Sequence, residues 1–117
     1  MRPEAKVQRE IMEFMRLMNF SVWDTSQGYR KDPGGTRMTA GIPDLIFAGH
    51  DRTLFVEVKT DKGKLTMWQK LFRTTWTDNG GICLLWRSDR DAFDWLVAEG
   101  IIEETAVGAL PTPQEDE

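Results

Sequence analysis

Asp44, Glu57 and Lys59 are the residues of this 117-residue chain whose types and spacing could do chemistry. Asp44 ends a Gly41-Ile42-Pro43-Asp44 turn at the mouth of one apolar run, while Glu57, thirteen residues on, and Lys59 alternate along a second run. If the two runs pair as a hairpin, the end of one lies beside the middle of the other, and carboxylates distant in sequence meet. Lys59, two positions after Glu57, projects from the same side of its strand. Two carboxylates on a half-buried sheet repel and lose hydration, which raises the pKa of one of them unless a cation intervenes. Mg2+ or Mn2+ suits such a place, because a hard ion held by one or two carboxylates keeps several waters and leaves positions for phosphate oxygens. With the Lys59 ammonium at hand to orient the attacking water and stabilise developing charge, the chemistry this set suits is phosphodiester hydrolysis. A solvated strand face with an ion pair would account for Glu57 and Lys59 taken alone. It leaves unexplained the Gly-Ile-Pro-Asp turn, the basic stretch before it and Gln69 after it.

The elements that must position these residues are legible in the pattern. Val7, Ile11, Phe14, Met15 and Met18 recur at spacings of three and four, which predicts a helix over residues 4–18 with one apolar face. A short strand follows at 20–23. From Ser26 to Gly41 five glycine or proline residues are mixed with Arg30, Lys31 and Arg37, a composition for a long basic loop. Runs at 45–48 and 53–60, separated by Gly49, His50, Asp51 and Arg52, read as an antiparallel hairpin at the centre of the sheet, with Leu54, Val56 and Val58 on its apolar face. Thr66 and Gln69 form a capping box that opens a helix to about residue 77, its inward stripe being Trp68, Leu71, Phe72 and Trp76. A strand at 82–86 and a helix capped by Ser88 complete the order α-β-β-β-α-β-α. On this reading Trp68, Trp76, Trp86 and Trp95 belong to the core, His50 to a turn and Cys83 to the interior. Residues 1–104 form one domain, and 105–117, with Pro111, Pro113 and Glu115-Asp116-Glu117, read as a disordered acidic tail.

Composition excludes several classes of function. With 40% hydrophobic and 29% charged residues the chain is expected to fold as a globular domain, and its short apolar runs predict neither a membrane span nor a signal peptide, hence a cytoplasmic protein. One cysteine and one histidine cannot make a disulfide framework or a Cys/His zinc site, so a metal here must be held by oxygen. The net charge of −4 is unevenly spread: residues 28–73 carry nine Lys and Arg against five acids, residues 74–117 two against ten. The acidity of the C-terminal part therefore does not veto a phosphate-binding surface in the middle. Arg30, Lys31, Arg37, Lys62 and Lys64, with Lys70 and Arg73, are the candidates for phosphate contacts, and Tyr29 for a base stack.

At these positions the sequence resembles a known family. Ile42-Pro43-Asp44 followed by Glu57-Val58-Lys59 matches the PD-(D/E)XK signature of restriction-type nucleases. Glu4-x-x-Val7-Gln8, Gly41 to Ile46, Phe55-x-Glu57-Val58-Lys59-Thr60, Gly63-Lys64-Leu65-Thr66 and Gln69 look like the virus-type replication-repair nuclease domain, VRR-NUC, in its small stand-alone phage form. The likeness runs over residues 4–97 or so. It implies a restriction-endonuclease-like α/β fold, a mixed sheet flanked by helices, and a divalent-metal-dependent endodeoxyribonuclease, often dimeric, acting on branched, flapped or four-way junction DNA. If phage-encoded, it would work in the host cytoplasm. In that pattern Asp44 and Glu57 bind Mg2+ or Mn2+ with the Val58 carbonyl, Lys59 is catalytic and Gln69 lies at the edge of the site. A helix-one acid completes the site; Glu4 is preferred, since it shares a face with Val7, Gln8 and Ile11, with Glu10 as the alternative. The rival from another class is a catalytically inactive nucleic-acid-binding module that keeps the fold.

Overall fold

A computed structural model describes residues 3–25 and 41–112. Arg30, Lys31, Arg37 and Tyr29 lie outside the described residues. Helix α1 (Glu4–Leu17) buries Val7, Ile11, Phe14 and Met15, the stripe its periodicity predicts. The chain reverses at Asn19, whose φ is +68°, and enters strand β1 (Ser21–Asp24), antiparallel to β2 (Leu45–Gly49). Strand β2 pairs in turn with β3 (Arg52–Val58) through a two-residue turn at His50 and Asp51, where φ is +50° and +62°. Positive φ at both central residues is what a type I′ hairpin requires, and it matches the twist of the flanking strands. His50 Nε2–H donates to the Met18 carbonyl at 2.7 Å, and its ring lies against Phe20. This fastens the hairpin tip to the α1–β1 connection.

Helix α2 (Met67–Asp78) then crosses over to β4 (Ile82–Trp86), which lies parallel to β3. The result is a mixed sheet of four strands in the order β1-β2-β3-β4, followed by α3 (Asp89–Ala98) and a 3-10 turn at Glu104–Ala109. The expected α/β order and mixed sheet are thus present. Side chains from β2 and β3, namely Leu45, Phe47, Leu54, Val56 and Val58, meet α1 and α3 in one fully buried core. Ser88 caps α3 by accepting from Asp91 N, as its position predicts.

The opposite face of the sheet is covered thinly. Phe55 packs against Phe72 and Trp76 of α2, with ring centroids 5.4 and 4.3 Å away, and none of the twelve residues of α2 is fully buried. Two readings of the sequence are corrected here. The stripe Trp68, Leu71, Phe72, Trp76 does not all point inward: Trp68 is 54% exposed, Leu71 55% and the neighbouring Met67 73%. Trp86 and Trp95 do belong to the core, whereas Trp68 does not and Trp76 is only partly covered. Helical periodicity reports that a face is apolar and says nothing about whether a partner element covers it. The expected boundary at residue 104 also falls too early. Leu110 is buried, Ala106, Val107 and Ala109 pack on the core, and Thr112 donates through its backbone N–H to Asp89 and through its hydroxyl to Glu10. Small apolar residues scattered among prolines and acids carry no periodic signal, so this packing is invisible in sequence. Residues 113–117 lie outside the described part.

Gly41 is one position where the backbone needs glycine. Its φ is +83°, and a Cβ added there would lie 2.4 Å from the Trp68 carbonyl oxygen. Gly41→Ala therefore combines left-handed strain with a backbone clash and is expected to destabilise the protein by about 1–3 kcal/mol. Urea unfolding measures this, and an unchanged midpoint would show that the approach of the Gly41 turn to α2 is not tight.

Candidate active site

The site is built by strand register. Leu45 pairs with Val56, so one further step along the antiparallel ladder sets Asp44 opposite Glu57, on the same face of the sheet. Three hydrogen bonds hold the Asp44 turn in place. Thr25 donates its backbone N–H to the Asp44 carbonyl at 2.9 Å, and its hydroxyl lies between the carbonyls of Pro43 and Asp44. The Val58 N–H donates to Asp44 Oδ2 at 3.0 Å, which turns that carboxylate toward β3.

Glu57 is 5% exposed, an unusual burial for a carboxylate. Its Oε1 accepts from Gln69 Nε2 at 2.7 Å and lies 4.0 Å from Lys59 Nζ. Its Oε2 is buried with no donor to accept from, so a hydrogen bond between Glu57 and Asp44 forms only when one of the two carboxyls carries a proton. Burial above all, then the charge of Asp44 and a hydrogen bond to it, push the Glu57 carboxyl from 4.5 up to about 8, with Lys59 opposing and Glu4 adding slightly. A carboxyl raised this far keeps its proton near neutrality unless a cation takes the proton's place.

Gln69 serves both the helix cap and the carboxylate cluster. Its Oε1 accepts from the Thr66 N–H at 2.7 Å and its backbone N–H donates to the Thr66 hydroxyl, completing the capping box. That fixes which way the amide points, so the Nε2 end faces Glu57. The helix cap and the carboxylate contact are one geometry. The two helix-one candidates differ: Glu4 is near enough for its charge to act on Glu57, while Glu10 accepts from Thr112 on the C-terminal segment. Lys62 and Lys64 are exposed in the turn after Lys59.

Two contributors escaped the sequence reading. Thr25 gives no signal, since it lies 19 positions from Asp44 across the basic stretch. Arg87, just past β4, donates from one guanidinium nitrogen to the Thr60 carbonyl and, at 2.9 Å, to the Gly63 carbonyl. A Cβ on Gly63 would lie 3.1 Å from the Lys59 Cβ, so the turn that Arg87 grips is packed on the stem of the lysine. Arg87 thereby restrains Lys59 through the backbone.

Among the described residues no three His, Cys, Asp or Glu side chains form a group of metal-binding geometry. The donors that are present nevertheless fit a hard cation. Asp44 and Glu57 converge, and an orphaned buried carboxylate oxygen is what a missing positive partner would leave. A cavity of about 10 Å³ beside Glu57, Gln69, Arg73 and Cys83 has room for about one water.

A four-stranded mixed sheet with a crossover helix, carrying an acid at the mouth of one strand and Glu-x-Lys at the end of the next, is the arrangement expected of the restriction-endonuclease-like α/β fold. Comparison with solved structures agrees: a structure described as a VRR_NUC domain superposes with a TM-score of 0.60 over 81% of this chain and 94% of that one, at 23% sequence identity. The chain therefore has the fold of a VRR_NUC domain. No protein-family model matches the sequence, and no curated protein does.

The raised Glu57 carboxyl makes stability depend on pH in a definite direction. Between about 4.5 and 8 the folded protein holds a proton that the unfolded chain has released, so unfolding free energy falls as pH rises through this window and levels off above it. In EDTA the melting temperature of the parent should decline over that range, while Glu57→Gln, neutral throughout, should flatten the slope. Parallel curves for the two proteins would place the proton elsewhere.

Proposed function

We propose that the protein is a divalent-metal-dependent DNA endonuclease that hydrolyses phosphodiester bonds, selective for branched, flapped or four-way junction DNA, and that it works in the cytoplasm as a homodimer. The observation that supports this most is the convergence of Asp44 and a buried, partnerless Glu57 oxygen, with the Lys59 ammonium 4.0 Å from the same carboxylate. In this reading Asp44, Glu57 and the Val58 carbonyl, with Glu4 from α1, hold Mg2+ or Mn2+. The ion, when bound, acidifies a water and neutralises charge on the phosphate. Lys59 orients the attacking water and stabilises the developing negative charge. Gln69 holds the Glu57 carboxylate in position. Lys62 and Lys64, with Arg30, Lys31 and Arg37, contact phosphates on either side and set the register of the strand. A single small site cuts one strand, so paired cuts at a junction call for two copies. Among the described residues no helix is long and apolar enough to cross a membrane.

Incubating the protein with branched and linear DNA tests the reading. Cleavage should require Mg2+ or Mn2+, stop in EDTA, disappear in Asp44→Ala and slow by at least about 100-fold in Lys59→Ala. If no DNA of any geometry is cut in a metal-dependent and Asp44-dependent way, the fold serves instead as a binding module. Metal occupancy has a separate readout. Millimolar Mn2+ should raise the melting temperature of the parent, by about 2.7 kcal/mol of stabilisation at a hundredfold excess over Kd, and leave Asp44→Ala unmoved. Equal shifts in both would remove the ion from this place.

A further inference from the structure

The outward face of α2 is the part of the molecule that neither the core nor the catalytic cluster uses. Met67, Trp68 and Leu71 are 73%, 54% and 55% exposed, an unusual concentration of large apolar surface on one helix. Behind them Phe72 and Trp76 stack at 5.6 Å with their rings 11° from parallel, and Trp76 meets Phe55 edge-on at 4.3 Å. Trp68, Leu71, Phe72, Thr75 and Trp76 line a shallow groove of about 290 Å³. That is at the lower limit of small-molecule pockets, about 300–1,000 Å³, and suits a flat ring laid against it more than an enclosed ligand.

This face adjoins the site through the backbone. Trp68 immediately precedes Gln69, which holds Glu57, and its carbonyl closes on Gly41 at the start of the Asp44 turn. The charge around it is positive. Lys62, Lys64, Lys70 and Arg73 are all exposed, and among the described residues none of the four is in an ion pair. A nucleic-acid strand offers both things this surface lacks, planar apolar rings and regularly spaced phosphates. A second copy of the chain fits less well: a twelve-residue helix presents a face of about 18 by 10 Å, roughly 200 Å², against the roughly 800 Å² per partner of a stable interface.

We propose that the outward face of α2, with Trp68 as its leading ring, is a stacking surface for unpaired bases of the DNA strand entering the site. This rests on the nuclease reading and deepens it, because bases in an intact duplex are already stacked and cannot occupy the face. Selectivity for DNA with a single-stranded arm then has a physical source next to the scissile position.

The experiment is equilibrium binding in EDTA, where cleavage does not intervene, of two labelled DNAs of equal length, one with a single-stranded flap and one fully paired. The parent should prefer the flap. Trp68→Ala should bind the flap about tenfold more weakly and the duplex almost unchanged, with Trp68→Phe retaining most of the affinity. Since Trp68 is more than half exposed, its replacement should leave the melting temperature unaltered, and this is checked on the same samples. Equal affinity of parent and Trp68→Ala for the flap, or an equal loss on both DNAs, overturns the stacking surface while metal-dependent cleavage by the parent keeps the nuclease reading intact. Loss of affinity accompanied by conversion of a dimer to a monomer in light scattering assigns the face to a second copy and also overturns it. If the parent binds neither DNA, the stacking surface falls, and metal-dependent, Asp44-dependent cleavage separately decides the nuclease reading.

Discussion

The contact between the Asp44 and Glu57 carboxylates is the constraint on which the site depends. It is unfavourable in itself: two anions lose water, and one oxygen of Glu57 is left buried without a partner. What holds them together is backbone geometry, since the β2–β3 register that sets Leu45 against Val56 carries Asp44 to Glu57 one step later. The type I′ turn at His50 and Asp51 fixes that register, and the His50 bond to the Met18 carbonyl anchors the turn to α1. A slip by one residue would send Glu57 into the apolar core and break the site.

Around this unfavourable pair the protein places its compensations. The Val58 N–H satisfies Asp44, the Gln69 amide satisfies one oxygen of Glu57, and Lys59 stands 4.0 Å away. Each is itself restrained. Gln69 is oriented by the helix cap, Lys59 by the turn that Arg87 grips, and the Asp44 backbone by Thr25. A proton fills what remains of the deficit near neutrality, which is why the Glu57 carboxyl rises to about 8. A divalent cation would fill the same deficit with two charges in place of one, and would then compete with the proton for one position.

The two faces of the sheet are built to different standards. The face toward α1 and α3 is a dry core of fully buried side chains, and it supplies the stability. The face toward α2 is thin, resting on Phe55, Phe72 and Trp76, and leaves Trp68 and Leu71 in solvent. The site sits on the thin face, and the acidic surplus falls on the segments after it.

Much of the architecture was legible in the sequence. The spacing of Val7, Ile11, Phe14 and Met15 specified α1, the Gly49–Arg52 gap specified the hairpin, and the Thr66–Gln69 box specified where α2 begins, because these signals are local and periodic. The pairing of Asp44 with Glu57 followed from the hairpin and from the likeness to PD-(D/E)XK nucleases. Tertiary structure alone decided the rest: that Gln69 serves both the cap and Glu57, that Glu10 is engaged by Thr112, that Arg87 and Thr25 brace the site, and that Trp68 faces water. Those outcomes depend on which element lies opposite a side chain. A repeat of three or four residues describes the surface of one helix and carries no information about what is packed against it.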